Sequence, residues 1–100
     1  MNELKECTEK MFEDIKHIDE EGNEYWLARE LQSTLGYHQW RSINDLIVRA
    51  KVACKESKYN VDDHFAVQRK MIKLAKGAAR KVIDYKLSRY ACYLIVMNGN

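Results

Sequence analysis

The apolar positions of this 100-residue chain change period along its length, and each change marks an element. Leu4, Cys7, Met11, Ile15 and Ile18 recur at three- and four-residue steps, the stripe of an amphipathic helix. Glu20-Glu21-Gly22-Asn23 is a turn signal, and Glu24-Tyr25-Trp26-Leu27 after it looks like a strand. The pattern therefore predicts a helix over 2–12 and a hairpin of residues 14–18 and 24–27. Leu27 to Leu35 reads as a helix with Ala28, Leu31 and Leu35 on one face, and Gly36 stands where a left-handed residue ends a helix. Residues 41–55 form the clearest helix. Ile43, Leu46, Ile47, Ala50, Ala53 and Cys54 share one arc at 100° per residue. Arg41, Asn44, Asp45, Arg49, Lys51 and Lys55 lie on the other side, with Val48 and Val52 among them.

Residues 56–65 read as a polar connection ending in a short turn at 61–65. Residues 71–74 and 82–87 then read as two strands joined by Ala75–Arg80; the second alternates Ile83, Tyr85 and Leu87 against Asp84 and Lys86. Ser88 sits near the N-cap of a last helix reaching Asn98. Its run Tyr90–Met97 is apolar on every side, which predicts a central buried helix. The sum is a single small α+β domain over 1–100, two β-hairpins packed on helices.

The composition, 46% hydrophobic and 32% charged, suits a globular chain. The longest apolar run is far short of the roughly 20 residues of a membrane span, and the polar N-terminus lacks a signal-peptide core, so a cytoplasmic location is expected. Cys7, Cys54 and Cys92 are odd in number with no Cys-x-x-Cys, which reads as reduced, mostly buried thiols. The Asn-Gly after the last helix looks like an exit leading onward, so the chain is expected to be the N-terminal part of a longer protein.

Charge adds what periodicity does not. Residues 1–40 hold four basic and ten acidic side chains, a net −6, whereas residues 41–100 hold thirteen and five, a net +8. The formal total of +2 hides this sorting. Six of the ten acids (Glu13, Asp14, Asp19, Glu20, Glu21, Glu24) lie on or beside the first hairpin. A positive block of this size attracts polyanions, nucleic acid foremost. Its cations collect at two places. Arg41, Arg49, Lys51 and Lys55 belong to the 41–55 helix, which with 27–35 makes a helix-turn-helix-like pair. The bland reading of that pair is an ordinary helical hairpin with a solvated face. Lys73, Lys76, Arg80 and Lys81 surround the small residues Gly77-Ala78-Ala79, as in a basic wing, although lysines also guard exposed edge strands. Gln39, Arg41 and Asn44 have base-reading chemistry. Trp26, Tyr90 and Tyr93 read as core, with Trp40 the aromatic placed for exposure.

His17, His38 and His64 are scattered and no His/Cys pair has ligand spacing, so neither metal nor cofactor is expected. Asp62-Asp63-His64 reads as a capped turn. No nucleophile triad, phosphate loop or paired carboxylate is recognisable, and the expectation is a protein that is not an enzyme.

Two stretches carry a family pattern. Residues 20–54, with Trp-Leu-Ala leading into a helix and then Leu-Gly-Tyr, and residues 61–65 with 82–99, which contain Leu-Ser-Arg-Tyr-Ala-Cys-Tyr-Leu, resemble the N-terminal domain of the DNA-damage-inducible protein D family. That domain is similar in turn to the Bro-N domain of phage antirepressors. The resemblance implies an α+β domain of bacterial or phage origin that binds DNA and is linked to the damage response. Residues 1–11 match no part of it, and no catalytic residue carries over. The expectation is a DNA-binding domain that touches phosphates through the 41–55 helix and the second hairpin. The alternative is a module that binds a repair or repressor protein through the acidic block, and Val48 and Val52 would suit a homodimer contact.

Overall fold

The computed structural model describes residues 10–99. They form α1 (10–15 within the described residues), β1 (His17–Ile18), β2 (Glu24–Leu27), α2 (Ala28–Thr34), α3 (Trp40–Glu56), α4 (Val61–His64), β3 (Phe65–Lys73), β4 (Ala79–Leu87) and α5 (Arg89–Asn98). The strands make one antiparallel sheet in the order β1-β2-β4-β3, so the two hairpins join through β2 and β4. The α+β expectation holds.

One core unites the layers. Trp26 from β2, Phe65 from β3 and Leu87 from β4 meet Leu31 of α2, Ile43, Ile47 and Ala50 of α3, and Ala91, Cys92 and Ile95 of α5, all buried. The Trp26 indole donates to the Phe12 carbonyl at 2.8 Å, which fixes α1 over the sheet. This contact explains why helix runs through Ile15 where a strand over 14–18 was expected. A helix turns both Phe12 and Ile15 toward the core, whereas an extended chain would place them on opposite faces. Only His17 and Ile18 remain as strand. Most of the helix expected over 2–12 lies outside the described residues.

The second hairpin is longer than its sequence suggests. β3 begins at Phe65, not 71, and β4 at Ala79, not 82, with nine consecutive cross-strand pairs from Phe65·Leu87 to Lys73·Ala79. Ala66, Gln68 and Lys70 alternate with Phe65, Val67 and Arg69, but the polar members mask the strand until β4 supplies its partners. The expected 27–35 and 41–55 helices are observed within a residue at each end. The last helix departs in one respect. Its inner face is buried through Ala91, Cys92, Leu94 and Ile95, but Tyr93 and Met97 are about 60% exposed, so α5 is not enclosed on every side and Tyr93 is not core.

Caps explain several boundaries. Ser88 Oγ accepts from Ala91 N at 3.0 Å and starts α5, and Asn60 Oδ1 accepts from Asp62 N at 2.9 Å and starts α4. Ser88 Oγ also shares a 2.6 Å hydrogen bond with His64 Nδ1, which ties the two helix starts together. Ser88→Ala is expected to cost about 1–2 kcal/mol in urea unfolding, the value of a lost cap. A change under 0.3 kcal/mol would show that water replaces the hydroxyl there. Cys54 and Cys92 are free and buried, and burial pushes the Cys92 thiol up to about 12. Cys7 lies outside the described residues. Among those residues no helix is long and apolar enough to cross a membrane.

Candidate nucleic-acid interface

β2 pairs with β4 only at Trp26·Leu87 and Leu27·Lys86. Beyond that point β3 and β4 continue as a two-stranded ribbon, and every residue from 71 to 81 is exposed. The molecule is elongated, 47 Å against 31 and 30 Å. Residues 65–83 include Arg69, Lys70, Lys73, Lys76, Arg80 and Lys81 and no acid at all. Lys73, Lys76, Arg80 and Lys81 are thus brought together at the free end as expected. Arg69 and Lys70 were missed because the periodicity shows a strand only from residue 71. Lys76 (φ 63°) and Gly77 (φ 78°) both take left-handed backbone to turn the chain, and Leu74 N donates to Ala78 O at 2.8 Å across the loop.

The root of the ribbon is fastened by a buried carboxylate. Asp84 of β4 is fully buried and accepts from Arg29 N at 3.1 Å, Tyr85 N at 2.8 Å and Lys70 Nζ at 2.8 Å. The residue before α2 is Leu27, which has no capping oxygen, so a strand 55 residues away supplies the cap. Arg29 Nε also donates to the Ile83 carbonyl at 2.9 Å.

A cation–aromatic stack joins α3 to the same root. The Trp40 and Tyr85 rings lie nearly parallel with centroids 6.3 Å apart. The Arg29 guanidinium sits 4.1 Å above Trp40, and Lys51 Nζ sits 4.5 Å from the Tyr85 ring. Trp40 is therefore half-buried, not exposed, and Lys51 is drawn into the stack instead of facing solvent. The rest of the α3 site divides. Arg41, Arg49 and Lys55 are exposed, but Asp45, Glu56, Val48 and Val52 are interleaved with them. Arg41 and Lys55 are fourteen residues apart, about 21 Å along the axis. Gln39 is exposed and Asn44 half-buried. The exposed surface of α3 is thus mixed in sign, whereas the exposed ribbon end from 71 to 81 is purely basic.

The acidic block occupies the opposite end. The β1–β2 turn and α4 lie past the C-terminal end of β4, about 30 Å from the ribbon tip by strand length. Four of its acids have internal side-chain partners. Glu24 takes Arg89 at 2.7 and 3.0 Å, and Glu13 takes Lys16 at 2.9 Å. Asp19 accepts from the backbone of Asn23 and Glu21 and faces Lys86 at 3.7 Å, while Glu30 meets His17. The Arg89 hydrogen bond holds the Glu24 carboxyl below its ordinary range, and the Lys16 hydrogen bond does the same for Glu13. The sorting seen along the chain is therefore a sorting in space: among the described residues the acidic end is partly neutralised, with Asp14, Glu20, Glu21, Asp62 and Asp63 outside any ion pair, and the ribbon tip is not neutralised at all.

The chain is 46% identical over 89 residues to DNA damage-inducible protein D of Escherichia coli (strain K12). The match covers 89% of this chain and 32% of that relative, so the chain spans about a third of its length. No solved structure matches. The family model described as the BRO family, N-terminal domain, matches residues 14–100, from the end of α1 through the ribbon to α5, and the chain belongs to that family.

Proposed function

We propose that this domain binds DNA, with the β3–β4 ribbon as the principal contact and Arg41, Arg49 and Lys55 of α3 as flanking phosphate contacts. The observation that carries the reading is the ribbon itself: beyond Asp84, which takes Lys70, its projecting part carries Arg69, Lys73, Lys76, Arg80 and Lys81 and no acid, at the far end from the acidic hairpin. Solubility alone does not call for that separation. The ribbon displaces the helix-turn-helix arrangement as the favoured reading for two reasons. The connection from α2 to α3 runs over five residues, 35–39, longer than the usual three or four. The first residue of α3, where a recognition helix meets bases, is Trp40, and it packs against Tyr85. The relative's name describes that protein as inducible by DNA damage, and we extend that setting to this domain. The role is binding, not catalysis.

The alternative, a protein partner on the acidic block, has less to draw on, because Glu13, Asp19, Glu24 and Glu30 are already engaged within the domain.

Fluorescence anisotropy with a 20-base-pair duplex tests the reading. Four to six phosphate contacts predict a log–log salt slope of about −4 to −5, so affinity should fall by about two to three orders of magnitude from 50 to 200 mM salt. Undetectable binding at 50 mM sinks it.

A further inference from the structure

The ribbon carries more than charge. Five of the eleven exposed large hydrophobic residues among those described are on it: Val67, Met71, Ile72, Leu74 and Ile83, each 41–61% exposed. Phosphates have no use for them, and an isolated two-stranded ribbon that shows apolar side chains to water needs a partner. A second copy of this chain fits poorly. The free edge of β3 carries Arg69, Lys70 and Lys73, and pairing two such edges would set cation against cation. The partner must be polyanionic and also offer apolar surface.

From these features we propose that the ribbon enters the major groove of duplex DNA and reads base edges, thymine methyls above all, through Met71 and Ile83. The inference rests on the DNA-binding reading and assigns to it the residues and the groove.

Register selects the face. Cross-strand partners point the same way, so Met71·Lys81 and Arg69·Ile83 continue the face of Val67·Tyr85 and Phe65·Leu87, the face on which α3 packs through Trp40 and Lys51. That face alternates apolar and cationic side chains. Met71 and Ile83 lie at its centre, with Arg69, Lys73 and Lys81 beside them. The opposite face holds Ile72 and Arg80 but is compromised at its root, where Lys70 is committed to Asp84.

Dimensions select the groove. A two-stranded ribbon fits the major groove, about 12 Å wide, and is too broad for the roughly 6 Å minor groove of undistorted DNA. The five residue pairs from Arg69·Ile83 to Lys73·Ala79 extend about 13 Å, about one and a half times the groove's depth of about 8.5 Å. The ribbon can therefore touch the groove floor while α3 remains outside among the phosphates. In that pose Met71 and Ile83 face the base edges, and the thymine C5-methyl is the apolar group the major groove presents. The cations on either side face the two phosphate backbones.

The test compares an alternating A·T duplex of 20 base pairs with the same duplex carrying deoxyuridine for thymidine, which removes the methyls and no charge. The wild-type chain is expected to bind the uracil duplex about tenfold more weakly. A Met71→Ser, Ile83→Ser variant, altered only at exposed positions, is expected to bind both duplexes alike, with an unchanged salt slope. Equal wild-type affinity for the two duplexes overturns the proposal and leaves phosphate binding standing. Absence of binding to either duplex removes the DNA reading itself. If the double variant keeps wild-type DNA affinity and preference but dissociates a dimer in sedimentation, the apolar face is a self-contact and the proposal is equally overturned.

Discussion

Reversing two charges at the ribbon tip, Lys76→Glu with Arg80→Glu, is expected to weaken duplex binding about 100-fold at 100 mM salt and to flatten the log–log salt slope by about two. The slope follows because two phosphates are no longer neutralised, at about 0.9 each, and the affinity because attraction becomes repulsion at both. The fold should not register the change. Residues 71–81 are exposed throughout and no ion pair involves either side chain among the described residues. Lys76→Gly is a sharper control. Lys76 holds a left-handed φ of 63°, which costs a residue with a Cβ about 1–2 kcal/mol and glycine almost nothing. That variant should therefore be at least as stable as the wild type while binding DNA more weakly. The matching reversal on α3, Arg49→Glu with Lys55→Glu, should cost much less, about threefold to tenfold, because Asp45 and Glu56 already dilute that surface. A larger effect on α3 than at the tip, read by anisotropy on the same duplex, would return the helix to the principal role.

The second large effect is on stability and falls on Asp84. Its replacement by alanine should lower the unfolding free energy in urea by about 3–5 kcal/mol, the combined cost of a lost helix cap and of further hydrogen bonds to a buried carboxylate. For a domain of this size the whole stability is about 5–15 kcal/mol, so the variant approaches unfolding. The loss has two sources. The Arg29 N–H in the first turn of α2 loses its carboxylate, and Leu27 has no side-chain oxygen to replace it. Tyr85 N and Lys70 Nζ lose an acceptor as well, although the lysine side chain, 38% exposed, recovers water. Lys70→Met strands a buried carboxylate that keeps two backbone donors, and should cost less, about 2–3 kcal/mol. Asp84→Asn preserves the shape and one acceptor oxygen and should cost least. An Asp84→Ala variant within 1 kcal/mol of wild type would show that α2 and the ribbon root do not depend on this group.

The two effects concern one element from opposite ends. Asp84 and the Arg29–Trp40–Tyr85–Lys51 stack anchor the ribbon to α2 and α3, and the cations and apolar side chains beyond them are what the ribbon presents. Arg29, Asp84 and Tyr85 had no visible part in the site when read as sequence. Asp84 looked like the outward member of an alternating strand. Arg29 looked like one more charge in an acidic block. No local signal distinguishes them, because their partners lie 55 residues away or in another layer.

What the chain determined by itself is what local physics can carry. The helical spacing of Ile43, Leu46, Ile47, Ala50 and Cys54 specifies α3 and its buried face, since a 3.6-residue period needs no distant partner to be read. Ser88 marked the start of α5, and the two charge blocks were countable without coordinates. Only the tertiary structure decided the length of β3, the half-burial of Trp40, the full burial of Asp84, the withdrawal of Lys51 from the exposed set, and the exposure of Tyr93. It also decided that four acids of the acidic block meet counter-charges within the domain while the cations of the ribbon tip meet none among the described residues. The reason is common to all of these. A strand is defined by the neighbour it pairs with, and a charge by the counter-charge it meets. Both are facts about distance in space, which separation along the chain does not supply.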